Sequence, residues 1–137
     1  MISALTFHHI GIATKNIELT AAFYIQAGYR MSDIIIEPVQ QVKIAFLSKS
    51  GMPLLELIAP LDNNNSVVNN YLQKTGTGPY HFCYCVTDLD AAIKEFKAQK
   101  YILLSNPVEA IAFNNRKICF LYNKNVGLVE LLEEEKA

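Results

Sequence analysis

The chain has 137 residues, of which 51% are apolar and 18% charged, with a formal net charge of −1 and three cysteines. Such a composition fits a single globular domain with one core and leaves no basic footprint for nucleic acid or an anionic membrane. No basic-then-apolar leader opens the chain and no run nears the ~18 apolar residues of a membrane span, so a cytoplasmic protein is expected, in which Cys83 and Cys85 do not read as a disulfide framework.

In chain order, Phe7 to Ala13 reads as a strand. Asn16 is a helix N-cap, with Ile17, Phe23 and Tyr24 turned inward and Gly28 as the stop. Strands follow at Tyr29 to Ile36, Val42 to Leu47 and Pro53 to Ile58, rich in β-branched and aromatic residues and separated by Glu37-Pro38 and Lys49-Ser50-Gly51. Asp62 to Ser66 is a loop whose last residue can cap a short helix to Lys74, and Thr75 to Pro79 is a linker. A strand from Tyr80 to Val86 and a helix from Leu89 to Gln99 come next, the helix with Leu89, Ile93 and Phe96 at helical spacing. Strands near Tyr101 to Leu104, Lys117 to Tyr122 and Leu128 to Leu132 complete the plan, and Glu133 to Glu135 read as a solvated tail.

The second half repeats the first. A shift of 72 brings His9 onto His81, Ile17 onto Leu89, Tyr24 onto Phe96 and Tyr29 onto Tyr101. A shift of 74 brings Lys43-Ile44-Ala45-Phe46-Leu47 onto Lys117-Ile118-Cys119-Phe120-Leu121, and Leu54-Leu55-Glu56-Leu57 onto Leu128-Val129-Glu130-Leu131. A self-match on this scale sets the architecture before any other signal. Alternation along a strand puts His9, Gly11 and Ala13 on one face and His81, Cys83 and Cys85 on its counterpart, with Ile10, Ile12, Phe82, Tyr84 and Val86 facing helices. Glu56 and Glu130 each interrupt an apolar strand, where a carboxylate needs a cationic partner. If two such modules pair about a pseudo-twofold axis, two histidines and two glutamates meet at one point and form a ligand set for a divalent metal. His8 points to the other face and has no assigned role, and Cys83 and Cys85 read as small buried residues. Lys43, its repeat partner Lys117 and Arg116 are candidate anion binders, although each is also an ordinary solvated charge.

Phe7-His8-His9-Ile10-Gly11-Ile12-Ala13, Leu54-Leu55-Glu56-Leu57, Tyr80-His81-Phe82 with Asp88-Leu89, and Gly127-Leu128-Val129-Glu130-Leu131 together resemble the vicinal oxygen chelate superfamily, which contains glyoxalase I and methylmalonyl-CoA epimerase. The match runs in order along almost the whole chain. It implies an α+β fold, with two paired βαβββ modules forming a cupped mixed sheet, the glyoxalase/bleomycin resistance fold. It implies one domain over residues 1–137, with module 1 at about 5–60, a linker helix within 61–78 and module 2 at about 79–134. The implied cofactor is one divalent metal ion (nickel, cobalt, zinc or manganese) held by His9, Glu56, His81 and Glu130, with Glu130 and secondarily Glu56 as the base.

The four-ligand set and the tract from Asn115 to Leu131 resemble glyoxalase I, so the leading expectation is a metal-dependent lyase or isomerase of the lactoylglutathione lyase type. Its substrate would be a glutathione hemithioacetal, with Lys43 and Arg116 as substrate-binding residues. The tract Glu56-Leu57-Ile58-Ala59-Pro60-Leu61, followed by an Asn-rich loop, resembles methylmalonyl-CoA epimerases, so an acyl-CoA epimerase is the alternative. Some of those epimerases have Gln at the position of Glu56 and an extra glutamate base on the strand that is here Val42 to Leu47, which in this chain carries no acid. A binding-only protein, like the bleomycin-resistance members, is a third reading. The family also implies a homodimer.

Overall fold

A computed structural model of the chain describes residues 2, 4–62 and 66–135. Asn63 to Asn65 of the expected loop lie outside the described residues. The chain divides into two compact units, residues 9–80 and residues 81–137 with 1–8.

The unit of residues 9–80 holds most of strand β1 (Thr6–Ala13), then α1 (Ile17–Gln26), β2 (Arg30–Met31), β3 (Ile35–Glu37), β4 (Val42–Ser48), β5 (Leu55–Pro60) and α2 (Val67–Thr75). β1 runs parallel to β5, and β4 is antiparallel to β5, β2 and β3. Asn16 caps α1 as expected, its side chain accepting from the Leu19 N–H at 2.9 Å, and Gly28 leaves the helix at φ +97°. Ser66 caps α2 in the same way, at 3.2 Å from the Asn69 N–H.

Three expectations are corrected here. Phe23 does not face inward: it is 68% exposed, because Ile17, Ala21 and Tyr24 form the inner stripe and Phe23 lies about 200° around the helix from Ala21. The single strand expected from Tyr29 to Ile36 is two strands, β2 and β3. Between them, Ser32 satisfies the edge of β4 partly with its side chain, Oγ accepting from the Phe46 N–H at 2.8 Å while its own N–H donates to the Phe46 carbonyl. Glu37, expected in a turn, instead ends β3 opposite Val42 and is buried.

The other unit repeats the plan with β6 (Gly78–Val86), α3 (Leu89–Ala98), β7 (Ile102–Leu103), β8 (Val108–Ala110), a 3₁₀ turn (Ile111–Phe113), β9 (Arg116–Asn123) and β10 (Gly127–Glu133). β6 is parallel to β10, and β9 is antiparallel to β10, β7 and β8. β8 and the 3₁₀ turn were not foreseen. The acidic end is not all tail, since Glu133 belongs to β10 and the Glu134 N–H donates to the Val86 carbonyl at 2.9 Å. The fold class is therefore the expected α+β one, with a βαβββ plan made twice and the second strand of each copy split in two.

Each unit has its own apolar core between its helix and one face of its strands. In residues 9–80 it comprises Ile12, Ile17, Ala21, Ala45, Leu47, Leu55, Leu57 and Ala59. In the other it comprises Val86, Leu89, Ile93, Phe96, Cys119, Leu121, Val129 and Leu131, with Ile2 and Leu5 packed against it. Full burial of each such Leu, Ile or Phe contributes about 1.5–3 kcal/mol. Burial, together with the charge of Glu130, pushes the Cys119 thiol up from 9.0 to about 12. A raised folded-state value makes this group's stabilising contribution complete below pH 9.0, the unfolded value, and lost as the pH rises towards about 12. Cys119→Ala is therefore expected to flatten the decline of stability between these values, as read by denaturant midpoints along a pH series; an unchanged slope would contradict it.

Candidate metal centre and active-site face

Strand register decides which side chains share a face. In residues 9–80, β5 lies between β1 and β4 with Gly11 opposite Glu56 and Glu56 opposite Phe46. His9, two residues before Gly11, therefore shares a face with Glu56 and Phe46, away from the α1 side. His9 Nε2 stands 3.6 Å from Glu56 Oε2, and both side chains are buried. The Phe46 ring meets the His9 ring edge-on at 6.3 Å.

The other unit builds the same arrangement from equivalent residues. Glu130 is opposite Cys83 on β6 and opposite Phe120 on β9. His81 Nε2 is 3.0 Å from Glu130 Oε1, again with both groups buried, and the Phe120 ring meets His81 edge-on at 5.3 Å. Each unit therefore carries a buried histidine and glutamate and a phenylalanine at matching positions, Phe46 half-buried and Phe120 buried, with a small residue, Gly11 or Cys83, beside the carboxylate. The phenylalanines were visible in the repeat but given no role; their same-face position follows only from the register.

The geometry of each pair suits a divalent cation. Two neighbouring ligands with bonds of about 2.1 Å stand about 3.0 Å apart at a right angle and about 3.4 Å at a tetrahedral one. The measured separations of 3.0 and 3.6 Å bracket these values. The longer one exceeds a hydrogen bond, while the shorter permits an Nε2–H donation to the carboxylate that metal binding would replace. Mixed imidazole and carboxylate donors are those of a borderline metal such as nickel, cobalt, zinc or manganese, and the set does not choose among them.

The two anion-binding candidates separate. Lys43 is opposite Ile36 and Ala59, three residues from Phe46, so alternation turns it to the α1 side and out of the site. Lys117, its repeat partner, is turned away by the same rule. Arg116, four residues before Phe120, shares the face of His81 and Glu130, about 13 Å along the strand at about 3.3 Å per residue. Its Nε donates to the Phe113 carbonyl at 3.1 Å, its guanidinium lies 6.0 Å from the Phe113 ring centre, and it bonds the Cys85 side chain. Burial raises the Cys85 thiol, with the Arg116 charge opposing that rise. His8 packs edge-on against Phe113 at 5.5 Å, which accounts for it without chemistry. Glu37, buried and opposite Val42, shares the face of Glu56 but sits about 13 Å along the strand from the Phe46 row, beyond ligand range.

This twice-built strand face with a His–Glu pair defines a class. The family model of the glyoxalase/bleomycin resistance protein/dioxygenase superfamily matches residues 8–120, and the chain belongs to that superfamily. Within it, the chain is similar to methylmalonyl-CoA epimerases. The human protein named methylmalonyl-CoA epimerase, mitochondrial, is 33% identical over 132 residues, covering 95% of this chain and 73% of its own. The crystal structure of methylmalonyl-CoA epimerase from Mycobacterium tuberculosis matches with a TM-score of 0.82 at 27% identity, over 99% of this chain and 93% of that one. A variant of the Streptomyces coelicolor methylmalonyl-CoA epimerase, in complex with 2-nitronate-propionyl-CoA, matches at 0.80 and 26%, over 97% and 100%. These likenesses favour the epimerase alternative and do not support the lactoylglutathione lyase expectation. Among the described residues no helix is long and apolar enough to cross a membrane.

Proposed function

We propose that the chain is an acyl-CoA epimerase of the methylmalonyl-CoA type, moving the proton on the carbon between a carboxylate and a thioester carbonyl. The observation that carries this is the pair of equivalent, buried His–Glu sets, read together with relatives that are epimerases. We take the two units as halves of one domain in which His9, Glu56, His81 and Glu130 hold one divalent ion. When bound, that ion supplies Lewis acidity to the substrate oxygens flanking the reacting carbon.

Inversion requires removal of a proton from one face of the carbon and its return to the other. The chain supplies one carboxylate from each module for this, Glu130 as the principal base and Glu56 as its counterpart. β4 carries no acid between Val42 and Ser48, so the extra strand glutamate of some epimerases is absent and Glu56 takes that duty. Phe46 and Phe120 cover the histidines and keep water from the carbanionic carbon.

Arg116 binds the distant anionic part of the substrate. The spacing of about 13 Å suits a ligand whose phosphates are held off from the thioester by a long arm. Arg116→Ala is expected to raise KM about tenfold, or about 1.4 kcal/mol, with little change in kcat, while Lys43→Ala leaves both near their starting values. An equal loss in the two variants would contradict the face assignment. The reaction itself is tested by supplying metal-loaded protein with one epimer of methylmalonyl-CoA and, separately, with the methylglyoxal–glutathione hemithioacetal. Interconversion of the first without turnover of the second is expected; the reverse would restore the lyase reading.

A further inference from the structure

The two copies of the repeat close the end of their helix differently. In residues 9–80, Lys49, just after β4, crosses the end of α1: its Nζ donates to the Ala27 carbonyl at 2.7 Å and stands 5.8 Å from the centre of the Tyr29 ring. Its Cε and Nζ lie 3.5 Å from where a Cβ on Gly28 would stand, and Gly28 has φ +97°. The register fixes the equivalents in the other unit. Arg30 pairs with Ser48 as Ile102 pairs with Tyr122, so Ala27, Gly28, Tyr29 and Lys49 correspond to Gln99, Lys100, Tyr101 and Asn123. Asn123 is too short to cross the end of α3, and its carboxamide oxygen accepts from the Asn125 N–H at 2.8 Å. A cavity of about 440 Å³ stands there, with Gln99, Tyr101, Asn123 and Asn125 on its walls.

It adjoins a cavity on either side and shares residues with each. Tyr101 and Val126 also line an apolar cavity of about 220 Å³, whose walls include Tyr84, Phe96 and Leu128 and which lies on the α3 side of the sheet, away from the His81–Glu130 face. Asn123 and Asn125 also line a cavity of about 300 Å³ that carries Lys100 and Lys124. Both lysines are exposed, neither has an ion pair among the described residues, and no acidic residue lines any of the three cavities. Lys100 takes φ +73°, a left-handed conformation that the first copy gives to glycine and that is unfavourable for a residue with a Cβ. The chain therefore holds a cation at this mouth against a local conformational cost.

We infer that this row of cavities binds a single-chain fatty carboxylate, its chain among Tyr84, Phe96 and Leu128 and its head beside Lys100 and Lys124. An apolar, aromatic-walled pocket with a few polar groups at its mouth is the usual make-up of a small-molecule site, and the two lysines select an anion. Gly127, opposite Asn123, is two residues from Val129 at the apolar end, so the ends stand about 7 Å apart along β10, within reach of one medium-length chain. The site is independent of the proposed reaction.

Calorimetric titration of the full chain with decanoate, below the concentration at which it forms micelles, tests this. One decanoate per chain is expected, with decylammonium at least about tenfold weaker. Lys100→Ala with Lys124→Ala should weaken decanoate by about tenfold or more. Asn123→Lys with Lys100→Gly, which rebuilds the plug of the first copy without changing net charge, should abolish binding. Thermal melts of both variants no lower than the parent's separate these losses from unfolding. Failure of decanoate to bind, equal binding of decylammonium, or undiminished binding in the plugged variant overturns the inference.

Discussion

Glu130→Gln is expected to lower epimerisation by roughly 10²- to 10⁴-fold, the usual contribution of a positioned acid or base, and to leave the fold intact. Gln has nearly the shape of Glu but cannot take a proton, and its amide can still accept from His81 Nε2–H, which stands 3.0 Å from the carboxylate oxygen. Because Gln keeps the volume and the acceptor that faces His81, thermal stability of the metal-free protein should stay close to that of the parent. Substantial residual turnover, with the variant folded and loaded with metal, would refute the role given to Glu130.

Glu56→Gln should behave differently, and the difference is the sharper result. If Glu130 removes the proton on one face and Glu56 returns it on the other, this variant still exchanges the proton of one epimer with solvent. Inversion falls by about 10²-fold or more while exchange persists. Deuterium incorporation into each epimer of methylmalonyl-CoA, followed beside the appearance of the other epimer, measures both rates. Equal loss of exchange and inversion would mean that one carboxylate serves both faces.

Much of the candidate site was legible in the sequence because its residues lie on strands of a duplicated unit. His9 and His81, or Glu56 and Glu130, each unremarkable alone, recur at matching points of the repeat, and the period of two along a strand sets each apart from its apolar neighbours. What required the structure depends on pairing between strands. The repeat matched Lys43 to Lys117, yet only the register of β4 against β5 shows that Lys43 is turned from Glu56. The same register places Phe46 and Phe120 opposite the two glutamates. The break at Ser32 arises from a side-chain hydrogen bond to β4 that no periodicity encodes. Phe23 was misplaced because α1 is apolar nearly all round, so its pattern does not mark which side faces the core. The motifs pointed both ways on lyase against epimerase: the four donors resemble glyoxalase I, while the tract from Glu56 to Leu61 resembles the epimerases that the relatives favour.

Under the proposed function the two His–Glu pairs hold one metal ion. Titration of the metal-free protein with cobalt(II), followed by its visible spectrum, tests this. One ion per chain is expected, with binding lost in His9→Ala and equally in His81→Ala, since each removes a ligand of the same ion. Two ions per chain, or binding in one variant as tight as in the parent, would show that the pairs act separately and would rule out a shared ion.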